Sequence, residues 1–104
     1  NEQGILSFVR KAKDGSAVLC VLNFRPESHE SFRLGVPLAG AWQEILSSAD
    51  TRFGGSGKTN PRRLHTKKIP SHGRDVSLVL TVPPLGGTLI KYIGETTHAR
   101  KRRV

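Results

Sequence analysis

The glycine-rich segment GGSGKT at residues 54–59 carries the residue types of a phosphate-binding loop. A P-loop requires Gly-x-x-x-x-Gly-Lys-Ser/Thr followed by a helix, so that backbone N–H groups and the helix N-terminus surround the phosphates. Arg52 occupies the place of the first glycine of that motif, and Pro61 follows two residues after Thr59. Because proline disfavours the α conformation in the residue before it, no helix is predicted to begin there. The sequence therefore indicates a flexible glycine-rich loop, with no nucleotide and no other cofactor.

Side chains suited to hydrolysis or metal binding are present but scattered. Glycoside cleavage uses two carboxyl groups that face one bond. Glu44 and Asp50 flank the end of a predicted strand, a spacing that fixes no such geometry, so we interpret them as solvated carboxylates. The four histidines have no zinc-ligand spacing, and Cys20 lies in an apolar run that predicts burial in the core. The sequence predicts no catalytic residue and no metal site.

Length and composition fit one domain with its own core. The chain has 104 residues and ordinary apolar content. It contains no apolar run long enough to span a membrane, so no membrane association is predicted. A single cysteine allows no internal disulfide, which favours a cytoplasmic protein. The first residue is Asn1 rather than Met, and we therefore expect a piece of a longer protein.

The formal net charge of +9 is distributed in a way that weakens its functional meaning. A basic domain is the electrostatic footprint of nucleic-acid binding. Four of the cations, however, stand together at residues 100–103. We predict that residues 94–104 form a basic, disordered tail and that residues 1–93 form the folded domain. The remaining cations are spread over predicted loops and strand ends, which a solvated surface explains.

Seven short segments with apolar alternation predict an antiparallel all-β fold. The predicted strands cover residues 4–11, 17–24, 31–37, 42–48, 64–69, 75–82 and 88–93, the fifth being an edge strand or a loop. Asp14-Gly15 predicts a hairpin between the first two. The second strand is apolar on both faces, so we expect it to be central and covered on both sides. In the fourth, Trp42, Glu44 and Leu46 are expected on one face. In the sixth, Ser77 is expected outward. A small β-sandwich of about six to eight strands follows.

Several segments, in this order, resemble the C-terminal β-domain of bacterial 1,4-α-glucan (glycogen) branching enzymes, members of the α-amylase superfamily. The opening strands are represented by GILSFVRK at 4–11, VLNFRP at 21–26 and FRLGVP at 32–37. Sharper matches are GAWQEILSSAD at 40–50, FGGSG at 53–57, HGR at 72–74 and PPL at 83–85. Phe53 stands where the family usually has tyrosine. The resemblance extends over residues 4–93.

The resemblance implies an accessory role in glycogen biosynthesis. Branching enzymes transfer an α-1,4 glucan chain to a 6-hydroxyl, and their catalytic carboxylates lie in a preceding (β/α)8 barrel. A chain of this length without a βα pattern cannot contain that barrel. We expect the chain to be inactive alone, to stabilise the barrel domain through one apolar sheet face, and to meet α-glucan through the parent enzyme.

Two aromatic residues are the candidate contact residues. Trp42 and Phe53 are predicted to contact either glucan or the neighbouring domain, since aromatic faces pack on both. For Trp42 the opposing interpretation is core packing, and for Phe53 it is anchorage of the glycine-rich loop on the sheet. Two other functions remain open: a free-standing carbohydrate-binding module, and a basic domain that binds single-stranded nucleic acid.

Overall fold

A computed structural model of the chain describes residues 4–94. They form an all-β domain, which confirms the predicted fold class. The strands are β1 (Ile5–Lys11), β2 (Ala17–Asn23), β3 (His29–Val36), β4 (Ala41–Ser47), β5 (Leu64–His65), β6 (Val76–Val82) and β7 (Gly86–Gly94), with one 3-10 turn at Thr51–Phe53. The predicted tail at 94–104 lies outside the described residues except for Gly94, which ends β7.

The strands form two antiparallel sheets. The large sheet has the order β1-β2-β7-β4-β5, and the small sheet pairs β3 with β6. The expectation that β2 is the central strand is wrong, because β7 lies in the middle and pairs with both β2 and β4. The predicted edge strand at 64–69 is reduced to two residues, which pair with Ala41 and Trp42.

The hairpin predicted at Asp14-Gly15 joins β1 to β2 in an unbroken register. Gly15 adopts a positive φ of 91°, and the Asp14 carboxylate accepts a hydrogen bond from the backbone N–H of Ser16 at 2.9 Å. That bond lowers the pKa of Asp14 below its usual range. The turn chemistry thereby fixes which faces of β1 and β2 point inward.

The core lies between the two sheets. From the large sheet, Leu19, Val21 and Ile90 are buried, and the small sheet supplies Leu34, Val36, Leu78, Leu80 and Val82. The other face of β2, which carries Val18, Cys20 and Leu22, is only partly buried. The expectation that β2 is covered on both sides is therefore wrong, because the small sheet covers the large one on a single face.

A register shift between Glu44 and Leu46 divides β4 into two parts. An extra residue in one strand reverses the inward and outward alternation beyond it. Trp42 is therefore fully buried whereas Leu46 points outward and keeps 42% of its surface exposed. The prediction that Trp42, Glu44 and Leu46 share a face is wrong for this reason.

Part of the outer side of the small sheet, around Ser77, is covered by the chain itself, whereas Val79 on the same side stays exposed. Lys67 and Ser77 exchange two backbone hydrogen bonds, and the Ser77 hydroxyl donates to the Ile69 carbonyl at 2.7 Å and accepts from Arg33 at 2.8 Å. Ser77 faces away from the core as expected, yet it is fully buried. We call this side the covered face.

Candidate functional site

The outer side of the large sheet carries an apolar surface that no other described segment covers across its width. The strand register arranges its side chains in three cross-strand rows. The first row is Leu6, Leu22 and Gly87; the second is Phe8, Cys20, Leu89 and Leu46; the third is Arg10, Val18, Lys91 and Gln43. We call this side the open face. It is apolar in its first two rows, and it carries two cations in the third.

Exposed apolar side chains on the open face form one continuous patch. Leu6 and Phe8 on β1 keep 42% and 47% of their surface exposed, and their cross-strand partners Leu22 and Cys20 are half-buried. Single exposed apolar residues are ordinary, but a contiguous patch marks an interaction site. Sequence reasoning missed Leu6 and Phe8. Their signal was present, because β1 is apolar on both sides of its alternation.

A groove of about 340 Å³ crosses the open face beside the 3-10 turn. Its floor is Gly87, where a Cβ atom would come within 2.5 Å of the Val21 carbonyl oxygen and 2.6 Å of the Leu22 side chain. Any other residue at this position would force the strands to shift. The walls are Cys20, Leu22, Leu46, Leu89 and Phe53. We call this feature the Phe53 groove.

The 3-10 turn presents Phe53 at the edge of the groove. The Asp50 carboxylate caps the turn by accepting from the backbone N–H of Arg52 at 2.8 Å, a bond that lowers the pKa of Asp50 below its usual range. Gly54 ends the turn with a φ of 78°, the left-handed conformation that favours glycine. The Arg52 guanidinium lies 5.1 Å from the centre of the Phe53 ring. Phe53 keeps 58% of its surface exposed.

Asn60 anchors the far end of the loop that follows this turn. Its side-chain amide bonds both backbone groups of Thr81, accepting from the N–H at 2.7 Å and donating to the carbonyl at 2.9 Å. It also donates to the Glu44 carboxylate at 2.7 Å. Glu44 accepts two further bonds, from the Asn60 backbone N–H at 3.0 Å and from the Thr88 hydroxyl. The interpretation of Glu44 as a solvated carboxylate is therefore wrong. Its carboxylate joins the loop to the large sheet, while Asn60 joins the loop to the small sheet through Thr81.

The structure separates the two candidate contact residues. Trp42 is 0% exposed, its indole N–H donates to the Leu38 carbonyl at 3.2 Å, and its ring packs edge-on against Tyr92 at 5.2 Å. It therefore offers no surface to a sugar ring or a second domain. Phe53 is accessible and lines the groove. It forms an exposed wall rather than a buried anchor for the loop.

Cys20 lies on the wall of the Phe53 groove and is not a core residue. The expectation of core burial is wrong because the outer side of β2 faces the groove. Partial burial raises the pKa of its thiol, which lowers the thiolate fraction at neutral pH. None of the residues that line the groove is a base that could activate the thiol.

The GGSGKT segment has none of the geometry of a phosphate site. It runs from the 3-10 turn to Asn60 without entering a helix, and Lys58 pairs with Glu30 at 3.8 Å. Among residues 4–94, no group of three or more His, Cys, Asp or Glu side chains is arranged to hold a metal ion. Within the same range, no helix has the length and apolar character needed to cross a membrane.

The two-sheet fold and the order of its segments agree with one protein family. A family model described as the alpha amylase C-terminal all-beta domain matches residues 1–93. The chain belongs to this family. The predicted resemblance and the β-sandwich fold class are both confirmed.

Curated relatives sharpen the family assignment. The chain is 46% identical over 100 residues to the 1,4-alpha-glucan branching enzyme of Aromatoleum aromaticum, an alignment that covers 96% of the chain and 15% of the relative. It is 44% identical over 91 residues to the enzyme of that name from Methylobacillus flagellatus, covering 88% of the chain and 13% of the relative. It is 45% identical over 92 residues to the Desulfitobacterium hafniense enzyme, an alignment that covers 88% of the chain and 15% of the relative. The chain thus spans about one seventh of the length of these relatives.

Proposed function

We propose that the chain is the C-terminal accessory domain of a 1,4-α-glucan branching enzyme, and that it stabilises a preceding catalytic barrel by packing its open face against it. The parent enzyme would transfer an α-1,4 glucan chain to a 6-hydroxyl in glycogen biosynthesis. This domain would contribute no catalytic residue. The observation that carries the proposal is the uncovered apolar face in a chain that matches one seventh of each relative.

The chemistry of the open face favours protein over sugar as its partner. A carbohydrate site combines apolar contacts with polar groups that fix the sugar hydroxyls. In the Phe53 groove, the Ser48 hydroxyl already accepts from the Gly87 N–H at 3.0 Å. Thr88 directs its hydroxyl inward to Glu44. The described lining therefore offers apolar area with little hydroxyl recognition, which supports Phe53 as an interdomain contact.

A cytoplasmic location and a folded unit of residues 1–93 belong to the same proposal. Cys20 is the sole cysteine and is a free thiol, as is usual for proteins in a reducing compartment. The basic residues that follow Gly94 would form a separate tail. The parent enzyme would make the contact with α-glucan.

A chimera tests the proposal. The matching segment of the Aromatoleum aromaticum enzyme is replaced with this chain, and branching of amylose is followed by loss of iodine absorbance. We expect the chimera to branch amylose, the segment-deleted enzyme to lose most of its activity on mild heating, and the isolated chain to show none. A chimera no more stable than the deletion, or branching by the isolated chain, contradicts the proposal.

The two alternative functions give different results in binding experiments on the isolated chain. A carbohydrate-binding module would shift NMR resonances of the loop at 53–60 on titration with maltoheptaose. A nucleic-acid binder would retain single-stranded DNA with an affinity that falls steeply as salt rises. Our proposal predicts neither response.

A further inference from the structure

The Phe53 groove is shaped for one bulky side chain rather than for a flat contact. Its floor lacks a side chain because Gly87 sits within van der Waals distance of β2, and the neighbouring Leu89 and Leu22 rise beside it. A cavity of about 340 Å³ is at the small end for a ligand site. Central pockets of this kind hold the anchor residues of protein interfaces.

The groove is also held in its open form before any partner arrives. Asp50 and Gly54 fix the 3-10 turn that carries Phe53, and Asn60 ties the end of the loop to Thr81 and Glu44. A preformed pocket loses little conformational entropy when it is filled. These bonds are consistent with a receiving site of fixed shape.

The third row of the open face adds charge beside the groove, and exposed Ile93 follows it on β7. Arg10 and Lys91 are exposed and flank Val18 across three strands. Among residues 4–94, the ion pairs within 4 Å join Arg25 to Glu27, Arg52 to Asp50 and Lys58 to Glu30. Neither cation of the third row is in such a pair. A partner with a carboxylate at this row would be electrostatically complementary.

We propose that the Phe53 groove is a socket for a single large apolar side chain of the catalytic portion of the enzyme, and that Arg10 and Lys91 meet carboxylates of the same portion in the neighbouring row of the open face. This inference rests on the proposed function. It assigns the occupant of the groove, and it orients the docked domain, since the groove and the cationic row cannot be exchanged.

The test fills the socket by a substitution. It uses the covalent chimera in which this chain replaces the matching segment of the Aromatoleum aromaticum enzyme. Cys20→Trp plugs the groove, and Cys20→Ala is the matched control that leaves it open. We expect the half-life of branching activity at an inactivating temperature to fall about 10-fold or more for the plug, as for loss of an interface anchor, and to change less than about 2-fold for the control. Circular-dichroism melting of the isolated variants verifies that each one folds.

Phe53→Ala provides a second variant that does not depend on the folding of Cys20→Trp. It removes the aromatic ring that forms one wall of the groove. This variant too should shorten the half-life of branching activity. If the unmodified chimera outlives the deletion while Cys20→Trp and Phe53→Ala match Cys20→Ala, the socket is overturned and the proposed function stands. If the unmodified chimera does not outlive the deletion, both are overturned.

The cationic row is tested by charge reversal. Arg10→Glu with Lys91→Glu should shorten the half-life in low salt and have less effect in high salt, because exposed ion pairs are screened. Arg62→Glu with Arg74→Glu, at two exposed loop positions, changes the net charge by the same amount and is the matched control. Equal behaviour of the Arg10 and Lys91 double variant and the control overturns the cationic contact.

Discussion

On the covered face, Ser77 is fully buried beneath the segment that carries Lys67 and Ile69, whereas on the open face Phe8 keeps nearly half of its surface exposed. Both faces belong to strands that pack on the same core. The difference is that, within the described residues, the chain supplies a cover for part of the small sheet and none for most of the large one. A contiguous apolar face of this kind is costly in water unless something binds it, so the comparison indicates where a second domain belongs.

The largest expected effect separates the core from the open face. Trp42→Ala should destabilise the isolated chain by about 3–5 kcal/mol, because it empties a fully buried aromatic site. Phe53→Ala should change the stability by less than about 0.5 kcal/mol, as for most exposed positions. Urea unfolding followed by circular dichroism measures both. Similar losses for the two variants would place Phe53 in the core and remove it from the docking surface.

The next effect concerns the covered face. Ser77→Ala removes the donor to the Ile69 carbonyl and the acceptor for Arg33. Both bonds are part-buried, and losing a bond of this kind costs about 0.5–1.5 kcal/mol. Amide hydrogen exchange at Lys67 should become faster as the cover loosens. Ser28→Ala, at an exposed position, serves as the control. Unchanged exchange at Lys67 would mean that the cover does not depend on Ser77.

A smaller effect compares the two faces directly. Phe8→Asp on the open face should lower the fluorescence of a bound hydrophobic dye by roughly half, since it interrupts the contiguous apolar patch. Val79→Asp, at an exposed apolar position on β6, should leave the fluorescence nearly unchanged. Equal losses for both variants would show that the open face is not the main apolar surface.

The smallest effect is electrostatic and lies beside the groove. The hydrogen bond from Arg52 lowers the folded-state pKa of Asp50 below its ordinary value of 3.8. The bond therefore stabilises the fold fully above about pH 4, and this contribution is lost as the pH falls through the lowered pKa. NMR titration of the Asp50 carboxyl measures it, with Asp50→Asn as the variant that lacks the response. A carboxyl that titrates at 3.8 or above would contradict the cap.

Much of the fold could be predicted from local patterns, and the site could not. Alternation located the strands and the Asp14-Gly15 turn, because both depend on neighbouring residues. Which strand lies at the centre of the sheet depends instead on long-range pairing, so the middle strand is β7 rather than the predicted β2. The bulge after Glu44 turned Leu46 outward, and no local signal marks it. Glu44 itself looked solvated because its partner, Asn60, is sixteen residues away.

The two candidate contact residues, Trp42 and Phe53, differ in exposure for a related reason. Trp42 and Phe53 are both aromatic and both lie beside glycine-containing sequence, so their types alone did not distinguish core from surface. The distinction comes from the two-layer packing, which buries Trp42 in the core cluster and leaves Phe53 on the outer side of the large sheet. The apolar side chains of β1 carried the missed information, since Leu6 and Phe8 alternate with buried Ile5.

The thiol of Cys20 gives the most direct test of the claim that the open face docks on a second domain. Its rate of alkylation is measured by peptide mass spectrometry, at one pH, in the isolated chain and in the chimera with the Aromatoleum aromaticum enzyme. A Val79→Cys substitution in a Cys20→Ala background reports on the opposite side. We predict that Cys20 reacts about 10-fold or more slowly in the chimera, as for a site in the water-excluded centre of an interface, while the thiol introduced at position 79 reacts equally in both. Equal rates at Cys20 in the chain and the chimera would contradict the account.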